Sequence, residues 1–250
     1  MNEKFKISEL EKCFENKPFT NKELLRFYLN YESELNENTL RWRIYRLKEA
    51  GLITSIKRGT YIFENKKRYI PNISPYAKSI YNKIKKLFPY TSLSVWETRW
   101  LADHMVHQVS GNYIIVEVNK EAMNSIFSLL QENRKNVFLN PGEREIEMYL
   151  QPWSNNNIIV KNLIYDSPIQ LYDKVYTPKL EKIIVDVFSD KALFSAYQGK
   201  ELANIFESFF KNYTINLSTI NRYAKTRNVK ERLIDFIIKE TNIDREKIII

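Results

Sequence analysis

Between positions 38 and 46 the chain places an amide, a hydroxyl, an indole and three guanidinium groups: Asn38, Thr39, Arg41, Trp42, Arg43 and Arg46. Guanidinium groups pair bidentately with phosphate and with guanine O6 and N7, and an asparagine amide pairs with adenine. These types at this density therefore have the chemistry of a nucleic-acid reader. Lys57 and Arg58 follow, next to Gly59, and cations on a tight turn suit phosphate or minor-groove contacts. Charge is distributed in the same sense. Residues 1–90 hold 19 Lys and Arg against 10 Asp and Glu, whereas residues 91–250 hold 20 against 20. All the excess positive charge lies in the first third, which favours a polyanionic partner because neutralising phosphates releases counterions.

The elements that must position these groups are legible from periodicity. Ile7, Leu10 and Phe14 have helical spacing, and Pro18 reads as a break after them. Thr20 and Glu23 have capping-box spacing and open a second helix through Leu24, Leu25 and Tyr28. Residues 32–36 are polar and make a turn. A third helix starts at Asn36 or Asn38, runs to Ala50 and stops at Gly51. Apolar residues then alternate in Leu52–Ile56 and Thr60–Phe63, two strands joined at Lys57-Arg58-Gly59. Three helices and a hairpin with a cationic tip is the winged form of the helix-turn-helix, assigned here to residues 1–70.

On a 100° wheel Leu40, Ile44 and Leu47 form the core stripe of the third helix, and Asn38, Trp42, Tyr45, Arg46 and Glu49 point outward. Asn38, Thr39 and Trp42 are the expected base readers, with Arg46 deeper along the groove. Arg41 and Arg43 fall on the flanks and are expected to clamp phosphates. For Trp42 the alternative is packing against the first helix or a dimer mate. Lys66-Lys67-Arg68 would extend the footprint.

Pro71 and Pro75 mark a boundary, and residues 71–90 read as a linker helix. Residues 91–250 read as a small α/β unit followed by helices. Within it we expect a helix over Ser92–Gln108, a strand at Tyr113–Val118 and a helix over Lys120–Glu132. Strands at Val137–Leu139, Glu145–Leu150 and Asn157–Leu163 follow, with helices over Leu180–Phe188, Lys200–Phe210, Leu217–Arg227 and Val229–Lys239. The fold class is α+β: an N-terminal winged helix-turn-helix, the α/β unit, and a helical C-terminal region.

The segment Pro178–Phe188, then Tyr197-Gln198-Gly199, Ile215-Asn216 and Arg222-Tyr223-Ala224-Lys225-Thr226-Arg227, resembles the C-terminal part of AbiEi-type antitoxins. The likeness implies a winged-helix repressor of its own operon that binds inverted repeats in double-stranded DNA. It further implies that the C-terminal domain counters a nucleotidyltransferase-like toxin without a stable complex. Each residue of the 178–188 segment also reads as part of an ordinary amphipathic helix, with Glu181 and Asp186 solvated or pairing Lys182.

Enzyme signatures are weak. There is no phosphate-binding glycine loop, and Cys13 is the sole cysteine, with no nearby histidine. His104 and His107 share a helix face but lack further His or Cys to complete a zinc site. Asp103 with Glu117-Val118-Asn119-Lys120 suggests a metal-dependent nuclease, yet on a strand Lys120 points away from Glu117. We therefore expect no enzymatic activity, cofactor or metal. The amino terminus lacks a signal peptide's apolar run and no stretch approaches the roughly 20 residues of a membrane span, so we expect a cytoplasmic protein without membrane partners, with a monomer and a homodimer as open alternatives. The remaining alternative is a protein-interaction module anchored on Trp42.

Overall fold

The computed structural model describes residues 2–14, 17–63, 67–107, 109, 111–132, 134–150 and 155–244. Helices and several small sheets are mixed along the chain, which divides into two compact units. One comprises Met1–Tyr69, Phe209–Ser218 and Asn242–Ile250; the other comprises Ile70–Ser208 and Thr219–Thr241.

The first unit contains α1 (Asn2–Phe5), α2 (Ile7–Phe14), β1 (Pro18–Thr20), α3 (Asn21–Leu29), α4 (Glu37–Glu49), β2 (Ile53–Lys57) and β3 (Thr60–Phe63). The strands form an antiparallel sheet in the order β1-β3-β2. α2 ends at Phe14, ahead of the break expected at Pro18, and Pro18 also begins β1. A proline lacks the N–H that an inner strand must donate, and the first residue of an edge strand is where it is tolerated. Thr20 caps α3 as its spacing predicts: its Oγ1 accepts from Glu23 N at 3.3 Å, and Glu23 Oε2 accepts from Thr20 N at 2.7 Å. Of the two candidate starts for α4, Asn36 is the cap, its Oδ1 accepting from Thr39 N at 2.8 Å. Phe19, Leu24, Tyr28, Leu40, Ile44, Leu47, Ile53 and Phe63 close one core between helices and sheet.

Gly59 turns β2 into β3 at φ +74°, a left-handed conformation that costs an L residue roughly 1–2 kcal/mol. A Cβ there would also stand 3.3 Å from the Asn21 side-chain nitrogen. Gly59→Ala is therefore expected to lower stability by about that amount, read as a shift in the midpoint of thermal unfolding.

The second unit contains α5 (Pro75–Leu87), β4 (Leu93–Glu97), β5 (Asn112–Val118), α6 (Met123–Gln131), β6 (Val137–Leu139), α7 (Glu143–Tyr149), β7 (Asn155–Asn162), β8 (Ile169–Tyr172), β9 (Val175–Pro178) and α8 (Leu180–Ser189). It continues into α9 (Lys200–Asn212), α10 (Leu217–Thr226) and α11 (Lys230–Glu240), of which residues 209–218 belong to the first unit. Its main sheet has the order β4-β5-β7-β6. β4 is antiparallel to β5, while β5, β7 and β6 run parallel. Ile114, Val116 and Val118 alternate onto one face, where α5 and α6 bury Ile80, Ile84, Ile126 and Leu130 against them. Tyr113, Ile115 and Glu117 alternate onto the other.

Three expectations change. Residues 71–90 do not merely link: α5 lays Ala77, Ile80, Tyr81 and Ile84 into the core of the second unit. Ser92–Gln108 is not a helix but β4 followed by a 3-10 segment, Thr98–His104. Every residue of β4 is buried, so the alternation that marks a half-exposed strand is missing from its sequence. Glu145–Leu150 is not a strand: residues 145–149 lie in α7 and Leu150 is its C-cap. Gly142 precedes that helix and donates its N–H to Glu145 Oε2 at 3.0 Å, while Ile146 and Leu150 face inward one turn apart.

Candidate functional site

The helix α4 divides cleanly. Leu40, Ile44 and Leu47 are buried as the wheel predicts, and Arg43 is buried with them at 1% exposure. The expectation that Arg43 clamps phosphate is thereby corrected. Position 43 is three residues after Leu40 and four before Leu47, so it belongs to the inward stripe. Its Nη2 donates to both oxygens of Glu32 at 2.7 Å, and its guanidinium lies 4.4 Å from the centre of the Tyr28 ring. Burial, with the neighbouring Glu32 carboxylate and against the pull of Arg43, pushes the Tyr28 phenol up to about 12. Tyr28 stays neutral and donates to Phe5 O at 3.0 Å. Arg43 is a structural cation that ties the turn after α3 to α4.

The outward face keeps Asn38, Arg41, Trp42, Tyr45 and Arg46 exposed, and Thr39 half-buried. Arg41 pairs with Glu37 at 3.5 Å with both side chains in solvent, a contact worth little and easily exchanged. Arg46 Nη1 meets Glu49 at 3.0 Å, and Tyr45 donates its hydroxyl to Glu49 at 3.0 Å. The hydrogen bond from Tyr45, then that from Arg46, holds the Glu49 carboxyl below its ordinary range, so the carboxylate stays charged. Trp42 is 44% exposed; its inner side meets the Phe5 ring at 5.5 Å, and Lys4 Nζ and Arg46 lie 5.5 and 5.9 Å from its centre. Arg58 is exposed at the β2–β3 turn. Lys57 ends β2, but its side chain lies outside the described residues, as does the whole of Lys66; Lys67 and Arg68 are exposed. Sequence reasoning left Tyr45 out of the site. At 58% exposure it is the most open ring of this face, and its outward wheel position was the available signal.

A second cluster of charges lies in the second unit. Lys182, fully buried on α8, donates from Nζ to Glu117 on β5 and to Asp186 one turn along its own helix. Asp186 also accepts from the Tyr223 hydroxyl at 2.9 Å and meets Arg227 Nε at 3.4 Å. Lys161, the register partner of Glu117 on β7, pairs with Asp190. Burial opposes the Lys182 charge, but the Asp186 and Glu117 carboxylates outweigh it and raise its pKa. Burial pushes the Glu117 carboxyl up against the pull of Lys182. Of the two alternatives for Asp186, solvation or pairing with Lys182, the structure has the pairing, and Asp186 and Glu181 are both buried. The signal was in the helix itself, where Leu180-Glu181-Lys182-Ile183-Ile184-Val185-Asp186-Val187-Phe188 is apolar around most of its circumference, the pattern of an enclosed helix.

Of the Glu117 oxygens, Oε1 is held by the Lys182 ammonium group, and Oε2 has no hydrogen-bond partner among the described residues. Among the described residues no group of three or more His, Cys, Asp or Glu side chains is placed to hold a metal ion. His104 and His107 diverge: Nδ1 of His104 meets Ser208 Oγ at 2.8 Å, and Nδ1 of His107 meets Glu201 at 2.7 Å. Cys13 is exposed. A cleft of about 260 Å³ between α7 and residues 191–197 has Tyr113 and Tyr197 in its wall. Burial pushes both phenols up, Tyr113 to about 12, so they remain donors rather than bases.

Fold and sites together define a mixed α/β protein with a cationic, aromatic helix face in one unit and a buried charge network in the other. The chain belongs to the family described as Family of unknown function (DUF6577), whose model matches residues 39–243. That span begins inside α4 and takes in Arg41, Trp42, Arg43, Arg46 and the whole Lys182 network. No curated protein matches the chain. Among the described residues no helix is long and apolar enough to cross a membrane.

Proposed function

We propose that the protein is a double-stranded-DNA-binding transcriptional regulator whose first unit is a winged helix-turn-helix. In this reading α3 and α4 are the helix-turn-helix, α4 enters the major groove, and the β2–β3 hairpin is the wing that brings Arg58, with Lys57, to the backbone. The observation that carries it is the outward face of α4. Asn38, Arg41, Trp42 and Arg46 are all exposed on one side of a helix whose other side is locked into a core, and the cationic hairpin turn follows it. Asn38, Thr39, Trp42 and Arg46 read base edges; Arg41 and Arg58 grip phosphates.

The finer reading rests on the likeness of residues 178–227 to AbiEi-type antitoxins. The protein then acts in the cytoplasm without a catalytic activity or cofactor, represses its own operon as a homodimer or as paired copies on inverted repeats, and counters a nucleotidyltransferase-like toxin without forming a stable complex. DNA binding is tested by titrating the full chain onto a duplex selected from a random pool. The logarithm of affinity is expected to fall linearly with the logarithm of salt concentration, by close to one unit of slope per phosphate contacted. A flat salt dependence removes the DNA reading. Co-expression with the nucleotidyltransferase-like product of an adjacent gene tests the antitoxin reading separately, and failure to restore growth removes that part alone.

A further inference from the structure

We propose, on the basis of the duplex-DNA reading above, that Trp42 recognises a thymine through its 5-methyl group and that Lys4 holds the backbone phosphate beside it. Trp42 is neither a core residue nor a free surface ring. Its inner side is fixed against Phe5, itself buried at 4% exposure and anchored through its carbonyl by the Tyr28 hydroxyl. Its outer side, 44% exposed, looks out between Asn38 and Arg46 in the middle of the α4 face. The part of the indole left open there is an apolar surface that an apolar group could cover. Of the groups on the major-groove edges of the base pairs, the thymine methyl is the apolar one.

Cations frame the ring. Arg46 lies 5.9 Å from the indole centre and Lys4 5.5 Å from it. With Arg46 on guanine O6 and N7, the thymine read by Trp42 is adjacent to a guanine or one base pair removed from it. Lys4 comes from α1, outside the helix-turn-helix pattern, and its four-carbon stem carries the ammonium across the ring toward the strand that flanks the groove. The amino-terminal helix thus becomes part of the interface, which neither the charge run nor the wheel of α4 indicates.

The test uses the full chain and its selected duplex, in which each thymine in turn is replaced by deoxyuridine to remove the methyl group alone. At one position the replacement is expected to weaken wild-type binding roughly fourfold, the worth of burying one methyl group. For Trp42→Ala the same replacement is expected to be neutral, because the partner surface is gone. Trp42→Leu, which keeps an apolar contact with Phe5, serves where the alanine variant unfolds, and a reduced methyl penalty is expected there. Lys4→Ala is expected to lower the salt slope by about one while leaving the methyl penalty intact. The proposal is overturned if every replacement is neutral for the wild type, if the penalty persists undiminished in the Trp42 variants, or if Lys4→Ala leaves the slope unchanged. Salt-dependent binding with no methyl effect refutes this inference and spares the DNA reading, whereas loss of salt-dependent binding altogether refutes both.

Discussion

Lys182→Met is expected to destabilise the second unit by about 3–5 kcal/mol, the effect of leaving a buried carboxylate, Glu117, without its counter-ion. Methionine nearly fills the volume of the lysine stem, so the loss is electrostatic rather than a cavity. Glu117 relies on this one ammonium group, which its Oε1 accepts from while Oε2 has no hydrogen-bond partner among the described residues, whereas Asp186 keeps Tyr223 and Arg227. The sign of the pH dependence follows. Without the ammonium, burial and then the Asp186 carboxylate push the Glu117 carboxyl up against Lys161 alone, and its folded pKa stands above its unfolded value. The stability of the variant is therefore greatest below the ordinary carboxylate pKa and is lost as pH rises through the folded value. Denaturant unfolding at several pH values measures this, and Lys182→Met combined with Glu117→Gln is expected to recover part of the loss at neutral pH. A single variant within 1 kcal/mol of wild type, by the scale of ordinary surface substitutions, refutes the network's role.

The second large effect separates three arginines that lie within one and a half turns of each other. Arg43→Ala is expected to cost about 2–4 kcal/mol in stability, since it removes a buried stem, the stacking on Tyr28 and the bidentate pair with Glu32. The Glu32 left behind is 46% exposed and remains hydrated, which keeps the cost below that of Lys182→Met. Arg41→Ala and Arg46→Ala, whose side chains are 74% and 43% exposed, are expected to leave the unfolding midpoint unchanged. Under the proposed function, Arg41→Ala lowers the salt slope by about one and weakens binding alike on all duplexes. Arg46→Ala relaxes preference at one base position by about 1–3 kcal/mol. A salt-slope change in folded Arg43→Ala, or a thermal shift of several degrees in Arg41→Ala, contradicts this division.

Arg43 also shows where reading along the chain fails. Its wheel angle lies between the stripe and the flank, and charge argues for the flank. What decides lies outside the helix: Glu32, in the turn eleven residues earlier, takes Nη2 with both its oxygens, and the Tyr28 ring lies against the guanidinium, although Nε and Nη1 have no hydrogen-bond partner among the described residues. β4 was misread because each of its residues has a neighbour on both sides of the sheet, so periodicity carries no information there. The β8–β9 hairpin escaped notice for a local reason. Asp173 and Lys174 take φ values of +46° and +65° in its two-residue turn, and the sequence lacks the Asn-Gly or Asp-Gly pair that advertises such turns.

By itself the sequence determined what local physics controls. The capping box at Thr20 and Glu23, the stop of α4 before Gly51, the turn at Gly59, the inward stripe of Leu40, Ile44 and Leu47, and the cationic outward face of α4 each depend on residues within a few positions of one another. Only the tertiary structure decided which charges are desolvated. Burial of Lys182 is set by Glu117, 65 residues away, and by Tyr223 beyond it, and the free energy of a charge depends on everything within a few ångströms rather than on its neighbours in sequence.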